Sequence, residues 1–517
     1  MSLTLISRRT AIKAGIGAAA AVQLGGLPAR AAEPKRGGFA RIATNDGSQT
    51  DSLDPITWPG SFTGSALGGA LCNNLTEILP DRSVAGDLAE SFEGSDKSRK
   101  WTFKLKPGLT FHNGKSLTAD DVVAAMKHHM GPNTKSPAKA VLALVTDVKA
   151  DDKATVVFTL SDSSPDLPYM LSDYHLPIMP AKADGTMDLS APVGSGPFVM
   201  ERWTPGMPAK MKRNPNYQKA NRPYLDEVEF IPIPDVTART NALLTGEVHF
   251  SNNLDIKTLA LLQRNSGVRV QRVPSTRHFS FDMNTQIAPF NNPDVRLALK
   301  YAIDREEIVK KVLLGNGTIG NDNNVARSMK FWAETPPQYS YDPEKSKEHL
   351  KRAGLTTLAV DLSVANAAFP GAVDAALLFK DQAARAGITI NIVREPDDGY
   401  WSKVWRQKNF VGVDWYGRAT VDWLYSTTLA KDAAWNDTKF EHARFNELLL
   451  QGRAESDEAK RAPIYAEMQK IVHDQGGLII VAFADYINGV SNKLQFGEVG
   501  GIYPMDNFKL AERWWMA

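Results

Sequence analysis

The sequence predicts an α/β protein built from more than one large unit, and three observations predict it. Strand-like and helix-like segments alternate along most of the chain. The last clear pair, a helix over 372–386 and a strand over 388–393 separated by Gly387, is the αβ step of a layered lobe. The chain has 517 residues, which at about 150 per domain means roughly three domains or two lobes of interrupted sequence.

The elements follow in chain order. Residues 101–105 alternate apolar and polar as a half-buried strand does. Lys106-Pro107-Gly108 turns the chain and 109–111 runs on. Thr118-Ala119-Asp120-Asp121 opens a helix through His129 with a capping-box pattern. Strands are expected over 155–160 and 226–233. Asn292-Pro293 starts a helix to Ile303. Asp304 caps the next, with Glu307 three residues on and Gly315 as a stop. Asp342-Pro343 opens a helix that ends at Gly354.

Composition excludes several functions. Apolar residues are 43% and charged residues 23%, ordinary for a globular protein. Sixty Lys+Arg against 58 Asp+Glu leave +2, without the basic excess of a nucleic-acid binder. Cys72 is the one cysteine, so there is no internal disulfide and no cysteine zinc cluster. It reads as a buried, inert thiol. The nine histidines form no H-E-x-x-H pair, and the adjacent His128 and His129 point about 100° apart on a helix. No metal or cofactor is expected. No G-x-S-x-G elbow is present. Gly194-Ser195-Gly196-Pro197 lacks the lysine and the third glycine of a phosphate loop and reads as a turn. Asn321-Asp322-Asn323-Asn324 reads as a solvent loop in preference to a cleft loop that supplies amide hydrogen bonds.

Residues 1–31 differ from the rest. They hold Arg8, Arg9, Lys13 and Arg30 and no acid. A small-residue apolar run over 14–27 and Ala29-Arg30-Ala31 follow, and the segment resembles a twin-arginine export signal cleaved near Ala31. The expected location is the periplasm. Removing the segment takes away four cations and no anion, so +2 becomes −2.

The densest local signal is aromatic. Five of eleven tryptophans, Trp401, Trp405, Trp415, Trp423 and Trp435, fall within 35 positions, with Tyr400, Tyr416 and Tyr425 among them. Arg406, Asp414, Arg418 and Asp422 are interleaved. Stacking surfaces with fixed charges suit a ligand pocket, while Trp401 and Trp405 at i,i+4 also fit a buried stripe.

Several motifs then read together: Leu53-Asp54-Pro55; Leu88-Ala89-Glu90-Ser91-Phe92; Trp101-Thr102-Phe103; Leu105 through Gly114; Leu117 through Val123; Gly194-Ser195-Gly196-Pro197-Phe198; Arg213-Asn214-Pro215-Asn216-Tyr217; and Asn292 through Ala298, leading to Ala302-Ile303-Asp304-Arg305. In this order they resemble extracellular solute-binding protein family 5, the dipeptide- and oligopeptide-binding components of ABC importers. The resemblance implies a bilobal periplasmic-binding-protein-like fold of the large peptide-binding class, with two lobes joined by two hinge strands. It places lobe 1 at 32–274, with an inserted subdomain around 70–190, lobe 2 at 275–486, and a return to lobe 1 at 487–517. It implies a monomer that captures solute by lobe closure and delivers it to an inner-membrane ABC permease, with no catalysis. In peptide-binding members a Trp-x-x-Asp segment supplies the carboxylate that pairs with the peptide ammonium. The matching segment here is Trp415-Tyr416-Gly417-Arg418, where a guanidinium replaces that carboxylate. Arg418 then either anchors an acidic group of the ligand or pairs internally with Asp414 or Asp422. The same resemblance adds Trp401, Trp58 and Ser61 as ligand-binding candidates. The expected ligand is peptide-sized, polar and anionic: a short peptide, an opine or a sugar–amino-acid conjugate. The alternatives are a chemoreceptor-linked sensor of the same fold, a nickel- or haem-chelate binder, and an exported hydrolase.

Overall fold

A computed structural model describes residues 33–517 apart from Ala140, Thr335, Pro336, Asp398, Asp432 and Ala434. The export-like segment lies outside the described residues.

Two mixed sheets organise the chain. The first has seven strands in the spatial order Val268–Val273, Tyr486–Ser491, Phe250–Ser251, Phe39–Thr44, Glu227–Pro232, Ala209–Arg213 and Phe198–Arg202. The second has six: Gly317–Ile319, Leu478–Ala484, His278–Met283, Phe410–Trp415, Leu358–Val364 and Ile388–Arg394. Each sheet has its own apolar core. The chain passes from the first sheet to the second between Val273 and His278, and returns between Ala484 and Tyr486. Two neighbouring crossings are the topology of a hinged, two-lobed protein.

The expected local signals set these elements. Thr118 and Asp121 form a reciprocal capping box at the start of Ala119–His129. Asn292, Asp304 and Asp342 each accept from a first-turn amide of the helix they open. Gly387, at φ +76°, closes the Ala372–Ala384 helix before the Ile388–Arg394 strand. A four-stranded antiparallel sheet, in the order Ala89–Ser95, Lys100–Leu105, Thr155–Leu160 and Val145–Asp152, is inserted in the first half of the chain.

Two expectations are corrected. Residues 109–111 do not continue as a strand; Thr110 makes an isolated bridge with Ser116. Asn321–Asn324 is not a solvent loop. Asp322 is fully buried and takes Arg305 on both oxygens at 2.7 and 2.8 Å, and Asn323 and Asn324 are buried beside it. The polar letters hid a buried charge pair whose arginine lies 17 positions away.

The C-terminal segment closes the first core. Met505, Asp506, Asn507 and Phe508 all take left-handed backbone angles. Asp506 holds this turn by accepting from Gly500 N, Arg513 Nη1 and Trp514 Nε1. Phe508 then lies against Thr63–Leu71, a wide π-helical turn, where a Cβ on Gly69 would stand 1.9 Å from the Phe508 carbonyl oxygen.

Candidate functional site

The Trp415–Trp423 segment runs between the two cores. Trp415 packs in the second core, while Trp423, with Tyr416 and Ala419, packs against the first. Gly417 makes this passage possible: a Cβ there would stand 1.7 Å from Thr276 Oγ1, on the outgoing crossing. The sequence-picked segment therefore lies where the two sheets meet.

Arg418 is 8% exposed. Its Nη1 donates to the carbonyls of Tyr416 and Gly417 at 3.2 and 3.0 Å, and its Nε has no partner. Its guanidinium carbon stands 5.5 Å from the Trp423 ring centroid. The two expected internal partners are engaged elsewhere. Asp414 takes Arg277 on both oxygens at 2.8 and 2.6 Å. Asp422 meets Arg453 at 3.2 Å; burial raises its pKa, with Arg453 opposing.

Further unpartnered polar atoms surround Arg418. His278 is 1% exposed, with no well-formed hydrogen bond at either ring nitrogen. Burial pushes its pKa down to about 3, opposed by the Thr276 backbone and aided by the Arg418 charge, so it stands neutral. Thr276 Oγ1, Trp423 Nε1 and Tyr503 OH are buried and unpartnered as well. Burial raises the Tyr503 hydroxyl, aided by the charge of Asp173 and opposed by that of Arg418. Asp173 accepts the His175 ring at 2.7 Å; burial raises its pKa, but His175 and then Arg418 outweigh that and hold it low. Buried polar groups are nearly always bonded, so these atoms stand out as candidates to meet a polar ligand.

The first sheet's side of this place is made by the other candidates. The Trp58 carbonyl accepts His175 Nε2 at 3.0 Å, and its indole donates to Ser52 O. Ser61 N and Phe62 N donate to Asp46, whose pKa burial raises to about 6 despite those bonds. Trp415 and Trp405 both donate to Asp437 Oδ2, so the Trp415 indole serves its own core. Trp401 is 42% exposed and meets Trp405 edge-on at 5.9 Å. The segment and Trp58 thus come together, while Trp401 stands at the outer end of the tryptophan row. A cavity of about 800 Å³, lined by Val141, Leu144, Leu167, Leu449 and Trp435 among others, lies beyond the far end of the Val421–Thr428 helix and does not include Arg418.

Sequence reasoning missed Thr276, His278, Asp173 and Tyr503. One signal was present. His278, Ser280 and Asp282 alternate with Phe279, Phe281 and Met283 in a strand buried on both faces, and a polar face inside a buried strand needs a partner. Among the described residues no group of three or more His, Cys, Asp or Glu is placed to hold a metal ion.

Two lobes joined by two crossings, with a cluster of buried donors beside them, are the architecture of a solute-binding protein. The chain belongs to the bacterial extracellular solute-binding proteins, family 5: residues 83–437 match the middle region of that family. It is 26% identical over 483 residues to the dipeptide-binding protein of Escherichia coli K12, covering 86% of this chain and 89% of that one. It is 29% identical over 362 residues to the glutathione-binding protein GsiB of Pectobacterium atrosepticum, covering 68% and 67%. Among solved structures it is similar to the periplasmic binding protein AgaA with agropinic acid from A. tumefaciens R10. There the TM-score is 0.82 at 24% identity, covering 93% of this chain and 99% of that one. It is also similar to DppA of Helicobacter pylori with the peptide STSA, at TM-score 0.80 and 22% identity, covering 93% and 98%. The fold is that of periplasmic binding proteins of the peptide-binding class, and by its family the chain is a solute-binding protein rather than an enzyme.

Proposed function

We propose that this protein captures a peptide-sized polar solute bearing an acidic group, and that Arg418 holds that group. The observation that carries the reading is the state of Arg418: buried, with Nε unpartnered, and with both candidate internal carboxylates bonded to other arginines. A guanidinium in such a place binds a carboxylate through charge-assisted hydrogen bonds. Thr276, His278, Trp423 and Tyr503 supply neighbouring hydrogen bonds, and Trp58, Ser61, Tyr416 and Gly417 shape the walls. The lobes divide at the two crossings and close on the solute, and the closed form meets the membrane permease. Residues 1–31 direct export by the twin-arginine route to the periplasm. Relatives that bind dipeptides and glutathione, and a structural neighbour with agropinic acid, support a ligand drawn from short peptides, opines and sugar–amino-acid conjugates.

The test begins with mass spectrometry of solute that co-purifies from the periplasm, followed by calorimetric titration of that solute. Arg418→Ala is expected to lose about 2–5 kcal/mol of binding free energy. Unchanged affinity overturns the anchor.

A further inference from the structure

The pocket around Arg418 is unequal in what it offers a ligand. Its unpartnered atoms are donors or neutral groups. Arg418 Nε and Trp423 Nε1 donate only, the hydroxyls of Thr276 and Tyr503 do both, and neutral His278 has one donor and one acceptor nitrogen. No carboxylate stands among them.

Every carboxylate that the contacts tie to this pocket is already committed. Asp414 is held bidentately by Arg277, and Asp422 by Arg453 with a further bond from Ser426. Asp46 accepts two backbone amides, at 2.6 and 2.7 Å. Asp173 accepts both the ring and the backbone N of His175 and already feels the positive charge of Arg418. The next carboxyl group along the His278–Met283 strand is Asp282, four residues or about 13 Å on. Burial, and then the charge of Asp437, raise the pKa of that group well above the usual carboxylate range. An ammonium brought to Arg418 would meet like charge, and bringing like charges together in a buried place is strongly disfavoured.

Resting on the reading of Arg418 as an acid anchor, we infer that the pocket selects acids whose nitrogen carries no charge, N-acylated or lactam amino-acid derivatives, and rejects the free α-ammonium of an ordinary peptide. Among the proposed ligand classes this favours acylated and cyclised conjugates over free peptides and over conjugates joined through a secondary amine. The amide carbonyl of such a ligand would accept from Trp423 or Tyr503, and its carboxylate from Arg418.

The probes are a pooled set of di- and tripeptides ending in Glu or Asp, used untreated and after complete N-acetylation, with binding read by native mass spectrometry and titration. The acetylated pool is expected to contain binders at least about ten-fold tighter than any untreated peptide. Equal or tighter binding by the untreated pool, or binding by neither, overturns the inference. Arg418→Ala separates the two readings. If it leaves a preference for acetylated peptides and their affinity unchanged, the anchor fails and the selectivity stands. If it weakens binding while the parent protein prefers free peptides, the anchor stands and the selectivity fails. Arg418→Asp, checked for an intact melting transition, is expected to reverse the preference toward free peptides; an unreversed preference for acetylated peptides counts against the charge argument.

Discussion

Two buried polar regions of this molecule contain similar residues and differ in completeness. In the first core, Glu512 accepts from Lys219, Arg222 and Tyr217, while Asp87 accepts from Asn73, Lys219 and Lys509. Of these groups only Asn73 Oδ1 lacks a partner. Around Arg418, by contrast, five residues carry unpartnered buried atoms. Burial would raise Glu512, yet Lys219 and Lys509 hold it at about 2. The saturated cluster fastens the C-terminal segment to the body of the chain, and the unsaturated one is the site proposed for the solute.

The largest expected effect breaks the saturated side. Glu512→Ala leaves Lys219 and Arg222 without their shared acceptor, and stability in urea is expected to fall by about 3–5 kcal/mol. On the open side, Arg418→Ala is expected to change stability by less than about 1 kcal/mol, because it removes no ion pair, while it weakens ligand binding. Urea melts and titrations of the two variants together test the contrast; a large stability loss in Arg418→Ala would make the two regions alike.

His278 sharpens the comparison through pH. Its folded pKa of about 3 lies below the unfolded value of about 6.5, so the unfolded chain binds a proton that the folded one refuses. Stability from this residue is complete above pH 6.5 and is lost as pH falls toward 3. Relative to His278→Gln, the parent protein is expected to lose up to about 1.4 kcal/mol more per pH unit across that window, measured by denaturant melts at several pH values. Parallel curves would contradict the burial of a neutral ring. The smallest effect is that of Tyr503→Phe. It removes an orphaned hydroxyl, so stability should hold or rise slightly, while ligand affinity drops by about 0.5–1.5 kcal/mol. Calorimetry and thermal melts on the same sample check both signs.

Much of the framework was legible because it is local. Thr118, Asn292, Asp304 and Asp342 cap helices through bonds to amides two or three residues on, and such spacing is visible in one dimension. The Trp415–Arg418 segment was legible through its resemblance and its aromatic density. The fates of Asp414 and Asp422 were not, because their arginines, Arg277 and Arg453, lie 137 and 31 positions away. Asn321–Asn324 was misread for the same reason. Thr276, His278, Asp173 and Tyr503 come from four separate stretches, and only the fold brings them to Arg418.

The left-handed run Met505–Phe508 bears on the order in which the molecule is completed. Such backbone costs about 1–2 kcal/mol per residue outside glycine, so it forms only when the core around it already exists. It stacks Phe508 on Tyr503, and both rings meet Tyr174 edge-on. The Tyr503 hydroxyl, which feels the charge of Arg418, is therefore placed by a turn that exists only once the first core has closed, so the proposed site is completed after that core and not with it.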